Sequence, residues 1–503
     1  MTSRPVFAPL LAATLLLAAC GGEQHGGPRT DAQGTLHYGG LAFTPCALSA
    51  TAGAAVEAQC ATLQVPEDHD APQGRAIELA VALVPAKGLA VEDPVYMIAG
   101  GPGQSAIESY PQVHAAFADV RRTRHVVLVD ARGTGGSHPL ACRDDEGEKA
   151  IYDPDDESPE AMRAFAERCR DALSKTADLR HYTTGDHVRD LDLVRETLGV
   201  ERINLVGISY GTRVAQQYAA AYPQHTRSLV LDSVVPNTLV LGQEHARNLE
   251  DALQAQFAAC RDDGACLRNL GDPADRLVAV RERLDAGGIA PVRYRDPVSG
   301  EWREETPRYG HLAGLLRMYA YQPQIAATLP LLLHEAAQER YESLLAQSRL
   351  LTASVSDAIY HGMQLSVLCS EDADELRAED ADRDTVLGTA LIELTDAQCA
   401  VWPRGRRAEH FREPLRGDLP VLAISGEFDP VTPPRYGDEA IAHLSNARHL
   451  VLPGQGHNVL GTGCMPKLFA QFVENTDAAA LDAECLQRLQ PQPPFAGTYG
   501  WEP

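Results

Sequence analysis

A serine lies in the string Gly207-Ile208-Ser209-Tyr210-Gly211, directly after an apolar run and directly before a run of small residues. A strand that turns sharply into a helix exposes the hydroxyl of such a serine, and the flanking glycines let strand and helix pass closely. A serine hydroxyl attacks a carbonyl carbon effectively only when a neighbouring base takes its proton. The pattern therefore predicts that Ser209 is the nucleophile of an acyl-transfer reaction.

The base and its orienting acid are expected further along the chain, because this type of turn is followed by an acid and then a histidine. Asp429 and His457 both come just after apolar runs and stand in that order. We predict that His457 accepts the Ser209 proton and returns it to the leaving group, while Asp429 holds the imidazole. Glu427 and Asp232 also follow apolar runs and remain alternatives for the acid.

A third requirement is a set of donors for the negative charge that develops on the carbonyl oxygen. The glycine-rich loop Gly100-Gly101-Pro102-Gly103 follows an apolar run, and glycine allows its backbone N–H groups to turn toward that charge. We expect the donors to be the N–H groups of Gly101 and Tyr210. The loop lacks the Gly-Lys-Ser/Thr ending of a phosphate-binding loop, and the chain has no Cys-x-x-Cys pair. Neither a metal nor an organic cofactor is predicted.

The elements that position these residues alternate between strand and helix. Short apolar runs typical of buried parallel strands lie at 77–84, 95–99, 125–130, 203–207, 228–232, 421–425 and 449–452. Helical spacing occurs at 186–198 and 210–222, and again at 249–260, 277–284, 312–319, 325–345 and 356–368. The alternation predicts a mostly parallel, doubly wound α/β sheet, and together with the serine turn and the inserted, mainly helical cap it predicts an α/β-hydrolase fold.

The domain boundaries follow from where the alternation stops and resumes. We predict a first part of the hydrolase core over 41–236, a helical cap over 237–414 and a second part of the core over 415–490. Only 291–302 within the cap has the pattern of a hairpin. The proline-rich end, 491–503, is expected to be extended over the surface.

The N-terminus has the pattern of an export signal. Residues 6–19 are nearly all apolar and end in Leu17-Ala18-Ala19-Cys20, which resembles a bacterial lipobox in which Cys20 is lipidated. A lipoprotein signal peptide over 1–20 and a flexible, glycine-rich tether over 21–40 are therefore predicted, with a plain cleaved signal as the alternative. The protein is expected in the bacterial periplasm or cell envelope, attached to a membrane only through this lipid.

The cysteine content independently favours export. The chain has 11 cysteines, and setting Cys20 aside leaves an even number that an oxidising compartment would pair. The spacing favours neighbouring pairs, although sequence alone allows many connectivities and also buried free thiols. The pairs are Cys46–Cys60, Cys142–Cys169, Cys260–Cys266, Cys369–Cys399 and Cys464–Cys485.

Charge narrows the class of partner. Asp and Glu outnumber Lys and Arg by 69 to 44, and the formal net charge is −25. Such a balance opposes binding to nucleic acid and to anionic lipid surfaces. The sequence gives no indication of the oligomeric state.

Taken with their spacing, these strings resemble the α/β-hydrolase serine peptidases that include proline iminopeptidases and tripeptidyl aminopeptidases. The matching strings are Gly100–Gly103, Asp130-Ala131-Arg132-Gly133-Thr134-Gly135-Gly136-Ser137, Gly207–Gly211, Gly426-Glu427-Phe428-Asp429-Pro430-Val431-Thr432-Pro433 and Gly456-His457. Ala99 stands where the iminopeptidases often have histidine, so the tripeptidyl-type branch is favoured. Asp130 and Arg132 are expected to pair with each other and fix a loop under the site.

The resemblance implies hydrolysis of short peptides from a free N-terminus. Such an enzyme needs an acceptor for the substrate ammonium, and the string Cys369-Ser370-Glu371-Asp372 makes Glu371 the candidate. A solvated acid at a helix end is the alternative for Glu371. For the whole chain, the alternatives are a carboxylesterase with the same triad and a non-catalytic binding lipoprotein that kept the fold.

Overall fold

The structure is a computed structural model, and it describes residues 27–32, 34–49, 55–91, 93–145, 147–151, 158–497 and 500. The predicted signal segment with Cys20 and the last residues of the predicted extended tail lie outside these ranges. Among the described residues, no helix is both long enough and apolar enough to cross a membrane.

One large sheet carries the fold, with strand order β1-β2-β3-β4-β5-β7-β6-β8-β9-β12-β13. In the part of this order that runs β7-β6-β8-β9-β12-β13, neighbouring strands are parallel. Strands β1 to β5 pair antiparallel with one another, and β5 pairs antiparallel with β7. The strands are β1 (Arg29–Thr30), β2 (Leu36–Tyr38), β3 (Leu41–Leu48), β4 (Val56–Pro66), β5 (Ala76–Val84), β6 (Val95–Ile98), β7 (Val126–Val129), β8 (Ile203–Ile208), β9 (Thr226–Asp232), β10 (Val292–Arg295), β11 (Trp302–Glu305), β12 (Val421–Gly426) and β13 (Ala447–Leu452). This architecture confirms the predicted α/β-hydrolase fold.

The strands at the centre are covered on both faces. Every residue of β6, β7, β8 and β12 is buried, which explains their continuous apolar runs. The helices are α1 (Ala106–Val113), α2 (Pro159–Leu173), α3 (Thr184–Thr197), α4 (Tyr210–Ala221), α5 (His245–Asp262), α6 (Gly264–Leu270), α7 (Pro273–Asp285), α8 (Tyr309–Tyr319), α9 (Pro323–Ala326), α10 (Leu329–Ala337), α11 (Glu342–Ala358), α12 (His361–Glu371), α13 (Ala390–Cys399), α14 (Pro434–Ile441) and α15 (Met465–Asn475).

Two short strands, β1 and β2, lie within the predicted tether. β2 pairs with β3 through Leu36 and Phe43, and the Tyr38 side chain is buried in the main core. The Gly40 N–H donates to the Thr197 carbonyl at 2.7 Å, which fixes the chain against the end of α3. The prediction of a flexible tether over 21–40 is therefore wrong for 29–30 and 36–38, which form strands, and Leu36 and Tyr38 have apolar partners that the sequence does not reveal.

The inserted region between β9 and β12 has two parts. Helices α5, α7, α8, α10 and α11 surround their own apolar core, which includes Leu253, Leu312 and Leu333. Helix α12 and the segment that follows α13 contribute instead to the core under the sheet, through Met363, Leu365 and Trp402. The region predicted as one cap thus consists of a mainly helical layer over 245–358, whose core also includes Val386, and a segment from 359 onward that packs in part on the hydrolase core.

Five disulfides join the pairs named above, with Cα–Cα distances from 5.1 to 6.4 Å that suit disulfide bonds. Disulfides persist in oxidising compartments, so the protein is an exported one. The proline-rich tail lies along the cap, where the Phe495 N–H donates to the Ala327 carbonyl at 2.7 Å and Ala496 is buried.

Candidate active site

Ser209 lies at the turn between β8 and α4 with backbone angles φ 55° and ψ −123°. A non-glycine residue rarely adopts this left-handed region, and its occurrence at a strand–helix turn is a mark of stored strain at a functional residue. A Cβ at Gly207 would collide with the Gly211 carbonyl, and a Cβ at Gly211 would collide with the Ile98 carbonyl. Only glycine fits these two positions, as the sequence pattern predicts.

Asp429 and His457 form a buried pair at the carboxyl ends of β12 and β13. The His457 Nδ1 lies 2.8 Å from Asp429 Oδ2. Asp429 also accepts the N–H groups of Val431 and Thr432 and the Thr432 hydroxyl, at 2.8 to 2.9 Å. Burial raises the pKa of Asp429, but the histidine and these donors outweigh it and hold the pKa below its usual value.

The negative charge of Asp429 shifts the pKa of His457 in the direction that their predicted roles require. Burial lowers the pKa of His457, but Asp429 beside the ring and Asp232 nearby raise it above its ordinary value. An imidazole whose Nδ1 is held by a carboxylate presents Nε2 to the nucleophile. This is the arrangement that a general base requires.

The two alternative acids have other roles. Asp232 accepts the N–H groups of Val459 and Leu460 at 3.0 and 2.9 Å, and Glu427 accepts the Gly454 N–H at 2.7 Å. Neither is bonded to the imidazole, so the structure pairs His457 with Asp429 alone among the three candidates.

Asp232 connects the segments that carry the nucleophile and the base. Its backbone carbonyl accepts the Ser209 N–H at 2.8 Å, while its carboxylate holds the residues that follow His457. Ser233 adds a bond from the Asn458 N–H at 2.8 Å. Within the described chain no hydrogen bond joins Ser209 Oγ to His457, whose bonded ring nitrogen is Nδ1. Such bonds are often long before substrate binds and tighten in the complex.

The glycine-rich loop lies against the nucleophile. A Cβ at Gly100 would stand 3.0 Å from Ser209 Cβ, and Gly101 and Gly103 have positive φ values of 105° and 100°. Tyr210 is the first residue of α4, and the first N–H groups of a helix have no acceptor within it. The loop and the helix start therefore surround the Ser209 side chain with backbone.

The expected pairing of Asp130 with Arg132 is wrong. Asp130 accepts the Ser105 hydroxyl at 2.6 Å and the N–H groups of Ile107 and Gly136 at 3.0 Å, so it fixes the loop that follows Gly103. Arg132 instead donates to both oxygens of the buried Asp190, each at 2.7 Å. Asp190 is in α3, 58 residues further on, where no pattern in the sequence points to it.

Glu371 lies at the end of α12 and is 1% exposed. Its carboxylate accepts the Thr184 N–H at 2.6 Å and the Thr184 hydroxyl at 2.7 Å, and that hydroxyl is 2.6 Å from the Tyr210 hydroxyl. Burial, together with the neighbouring Asp372, raises the pKa of Glu371 to about 7. It is therefore a buried acid next to the residue that follows the nucleophile, and the expectation of a solvated helix end is wrong.

Three cap residues near the triad carry no signal in the sequence. The Tyr321 carbonyl accepts the His457 N–H at 2.8 Å, and the Tyr321 ring meets the imidazole edge-on with centroids 4.9 Å apart. Burial raises the pKa of Tyr321, and the charge of Arg317, one turn earlier, opposes that rise. His245, at the start of α5, has a buried Nε2 without a partner. Arg317 lies in α8, His245 begins α5 and Tyr321 lies in the turn between α8 and α9, so apolar helical spacing does not reveal their contacts.

Among the described residues, no group of three or more His, Cys, Asp or Glu side chains could hold a metal ion. The site thus consists of a strained serine, a buried histidine–aspartate pair and backbone N–H groups. Together with the sheet, these features define a serine hydrolase.

Comparison with known proteins agrees with this class. The family described as alpha/beta hydrolase fold matches residues 93–307, and the family described as TAP-like protein matches residues 384–485. The tripeptidyl aminopeptidase of Streptomyces lividans is 34% identical over 473 residues, which cover 86% of this chain and 85% of that protein. The chain therefore belongs to the family of α/β-hydrolase serine peptidases that contains the tripeptidyl aminopeptidases.

Two further relatives are named a serine protease and a carboxylesterase. Serine protease Hip1 of Mycobacterium tuberculosis is 27% identical over 460 residues, covering 85% of this chain and 87% of that protein. Carboxylesterase B of the same organism is 38% identical over 224 residues, covering 42% of this chain and 43% of that protein. The resemblance predicted from the sequence is confirmed.

Proposed function

We propose that this protein is an aminopeptidase that cleaves short peptides from a free N-terminus through an acyl-enzyme. The observation that carries the proposal is the strained Ser209 elbow tied, through Asp232, to the segment that holds the His457–Asp429 pair. Membership of a serine peptidase family supports peptide bonds as the substrate. No metal or organic cofactor is needed for this chemistry.

The reaction follows from the positions of these groups. Ser209 Oγ attacks the carbonyl carbon of the scissile bond while His457 Nε2 takes the hydroxyl proton. The N–H groups of Gly101 and Tyr210 donate to the oxygen that becomes negative. The imidazolium then gives its proton to the amine, the C–N bond breaks and the acyl group stays on Ser209. A water molecule, deprotonated by His457, releases the acid and restores the serine.

Asp429 contributes by orientation and charge. Its bond to Nδ1 fixes the tautomer that leaves Nε2 free to accept a proton, and its negative charge stabilises the imidazolium. Because three other donors already hold the carboxylate, it cannot rotate away during the cycle.

Glu371 is the proposed acceptor of the substrate ammonium. The carboxylate is buried beside Tyr210, and each of its oxygens has capacity for a second donor. A bound ammonium would favour the ionised acid, since an opposite charge at close range lowers the pKa of a carboxyl. Recognition of the amine next to the nucleophile would restrict cleavage to the first few residues.

The placement in the cell is proposed from the N-terminal sequence. Lipidation of Cys20 would attach the domain to a membrane of the bacterial envelope, with the residues before β1 as the tether. The acidic surface suits a protein that faces, but does not insert into, an anionic bilayer. Globomycin-sensitive processing, read as a mass shift, would test the lipid directly.

The experiment that tests the activity compares free-amine tripeptide anilides with their N-acetylated forms and with short-chain esters. The proposal predicts efficient cleavage of the free-amine anilide, strong loss on acetylation, and no activity in Ser209→Ala. Ser354→Ala, on the exposed face of α11, is the matched control and retains full activity. Cleavage of esters without cleavage of any free-amine peptide would identify a carboxylesterase instead.

The esterase alternative is kept because carboxylesterase B is among the relatives and acyl-enzyme chemistry serves both bonds. A non-catalytic binding lipoprotein would react with no fluorophosphonate probe at all. The same substrate panel and a labelling gel thus separate all three functions.

A further inference from the structure

Arg317 is a half-buried arginine of the cap, in α8. Among the described residues no Asp or Glu oxygen lies within the 4.0 Å of an ion pair with it. By contrast, Arg308, which directly precedes α8, and Arg349 of α11 both have carboxylate partners. A guanidinium that is partly removed from water and has no counter-ion is suited to bind an incoming carboxylate, because its planar fork matches the two carboxylate oxygens.

Arg317 is close in the chain to Tyr321, which contacts the catalytic base His457. Tyr321 follows one turn later, and it contacts His457 both through its carbonyl, at 2.8 Å, and through its ring, at 4.9 Å between centroids. Burial raises the pKa of Tyr321, and the charge of Arg317, four residues earlier, opposes that rise. Tyr321 therefore connects the segment that carries Arg317 to the base.

A second polar side chain without a partner is that of His245. His245 begins α5, and its Nε2 is buried without a hydrogen-bond partner. Burial, and next the charge of Arg317, lowers the pKa of His245 to about 3, so the ring is neutral and has one N–H to donate. Asn248, one turn on, donates to the Val431 carbonyl at 2.9 Å and so holds this end of α5 on the loop that follows Asp429.

The carboxylates of Glu244 and Asp429, whose charges raise the pKa of His245 against the effect of burial, already have other partners. Glu244 accepts from Arg435 at 3.0 Å and from the Tyr436 hydroxyl at 2.7 Å. Asp429 is held by His457 and by its own loop. Neither of them forms an ion pair with Arg317, and the buried Nε2 of His245 is a polar atom whose burial is costly unless a ligand supplies its partner.

We propose that Arg317, assisted by His245, binds a carboxylate on the leaving portion of the substrate. This inference rests on the proposed peptidase function. His457 must reach the leaving amine to protonate it, so groups that pack around the imidazole face that side of the scissile bond. The carboxylate is either the C-terminal one of a short leaving peptide or the side chain of an acidic residue next to the cleaved bond.

The test compares peptides that share the acyl portion and differ only in the leaving portion. One pair ends in a free carboxylate or in its amide, and a second pair, both amidated, has Asp or Asn after the cleaved bond. Hydrogen bonds to a charged group are worth about 10- to 100-fold in kcat/KM. The wild-type enzyme should prefer at least one carboxylate member by about this factor, and Arg317→Gln should lose that preference, so that the carboxylate and amide members are cleaved at similar rates.

Two further variants separate binding from folding. Arg317→Lys keeps the charge and should retain part of the preference, because a lysine lacks the bidentate fork. Arg283→Gln removes a cap arginine that is paired with Glu339, and it should leave all rates unchanged. Equal rates for acid and amide in the wild type, or an equal loss on both members in Arg317→Gln, would overturn the inference.

The proposed carboxylate site can also be tested with substrates that are not peptides. Acetyl esters of lactate and of lactamide differ only in a carboxylate on the alcohol, and both need the triad alone for cleavage. A preference for the lactate ester that disappears in Arg317→Gln would support the carboxylate site even if no peptide were cleaved. A wild type that cleaves peptides but shows no carboxylate preference in any pair would leave the proposed function intact and refute the role of Arg317.

Discussion

Replacing Asp232 by asparagine is expected to slow catalysis although it changes none of the three residues assigned to the reaction. The carboxylate accepts two N–H groups, from Val459 and Leu460, at 3.0 and 2.9 Å. Asparagine has nearly the same size but offers one acceptor oxygen and one NH2 donor. One of the two N–H groups must then lose its partner and face another donor.

The magnitude follows from the burial of this cluster, since Asp232 is 1% exposed. A buried N–H left without an acceptor costs about 1–3 kcal/mol, so the free energy of unfolding should fall by that amount. The loosened residues lie directly after His457, and a displacement of about 1 Å at a reacting group can cost about 100-fold in rate. We expect kcat to fall by about 10- to 100-fold and KM to change little.

The pH profile gives an independent reading. His457 must be neutral to accept the Ser209 proton, so kcat/KM decreases as the pH falls through the pKa of His457 in the free enzyme. Asp232 is one of the groups that raise this pKa against the effect of burial. Removing its negative charge lowers the pKa of His457, so the acidic limb of the Asp232→Asn profile should move to lower pH.

The assay is initial-rate kinetics on a free-amine anilide across the acidic to neutral range, with urea unfolding on the same preparations. Asp438→Asn is the matched control, because that exposed carboxylate pairs with His449 away from the site. If Asp232→Asn kept the wild-type kcat, stability and acidic limb, Asp232 would not connect nucleophile and base as we argue.

Three further predictions concern the triad acid, the amine acceptor and the disulfides. Asp429→Ala should lower kcat by about 10⁴-fold and also lower the pKa of His457, which steady-state kinetics and the acidic limb would show. The raised pKa of Glu371, about 7, means that its carboxylate is ionised only above that pH; kcat/KM for free-amine peptides should therefore decline as the pH falls through about 7. Glu371→Gln should remove the contribution of Glu371 to this decline, leaving the acidic limb set by His457, and raise KM for free-amine peptides but not for N-acetylated esters. Cys369→Ala with Cys399→Ala opens a link between residues 30 apart in sequence and should cost about 3–4 kcal/mol of unfolding free energy, measured in urea.

The central strands were predictable because of their surroundings. Strands β6 to β9 and β12 are buried along nearly their whole length, so each is a continuous apolar run bounded by polar turns. Strands β3 and β4 are exposed at alternate or irregular positions and include polar residues, which hides them in the sequence. A long apolar run therefore indicates a strand that is buried on both faces, and a strand with one exposed face does not show it.

The cap shows a different limit. Helical spacing over 325–345 predicts one helix, but the structure has three, α9, α10 and the start of α11. Glu339, with φ 60°, follows the end of α10 in a left-handed turn, and no glycine or proline at this point of the sequence predicts that turn. Tertiary packing against the core of the cap decides these ends, and local propensity alone does not.

Within the site, residues that act through backbone geometry were visible and residues that act across the fold were not. Ser209 stands in a turn whose glycines are sterically required, and His457 stands in the order that the turn implies. The bridging role of Asp232, the ion pair of Arg132 with Asp190, and the approach of Arg317 from the cap all join segments distant in sequence. Spacing carries no information on such contacts, since they depend on how the sheet and the cap come together.

The most direct test of the account is the site of covalent labelling by a fluorophosphonate, read by intact mass and then by peptide mapping. We predict one adduct per chain, located on Ser209, absent in Ser209→Ala and formed far more slowly in His457→Ala. Labelling that persists in Ser209→Ala, maps to another residue, or proceeds at the wild-type rate without His457 would contradict the proposed mechanism.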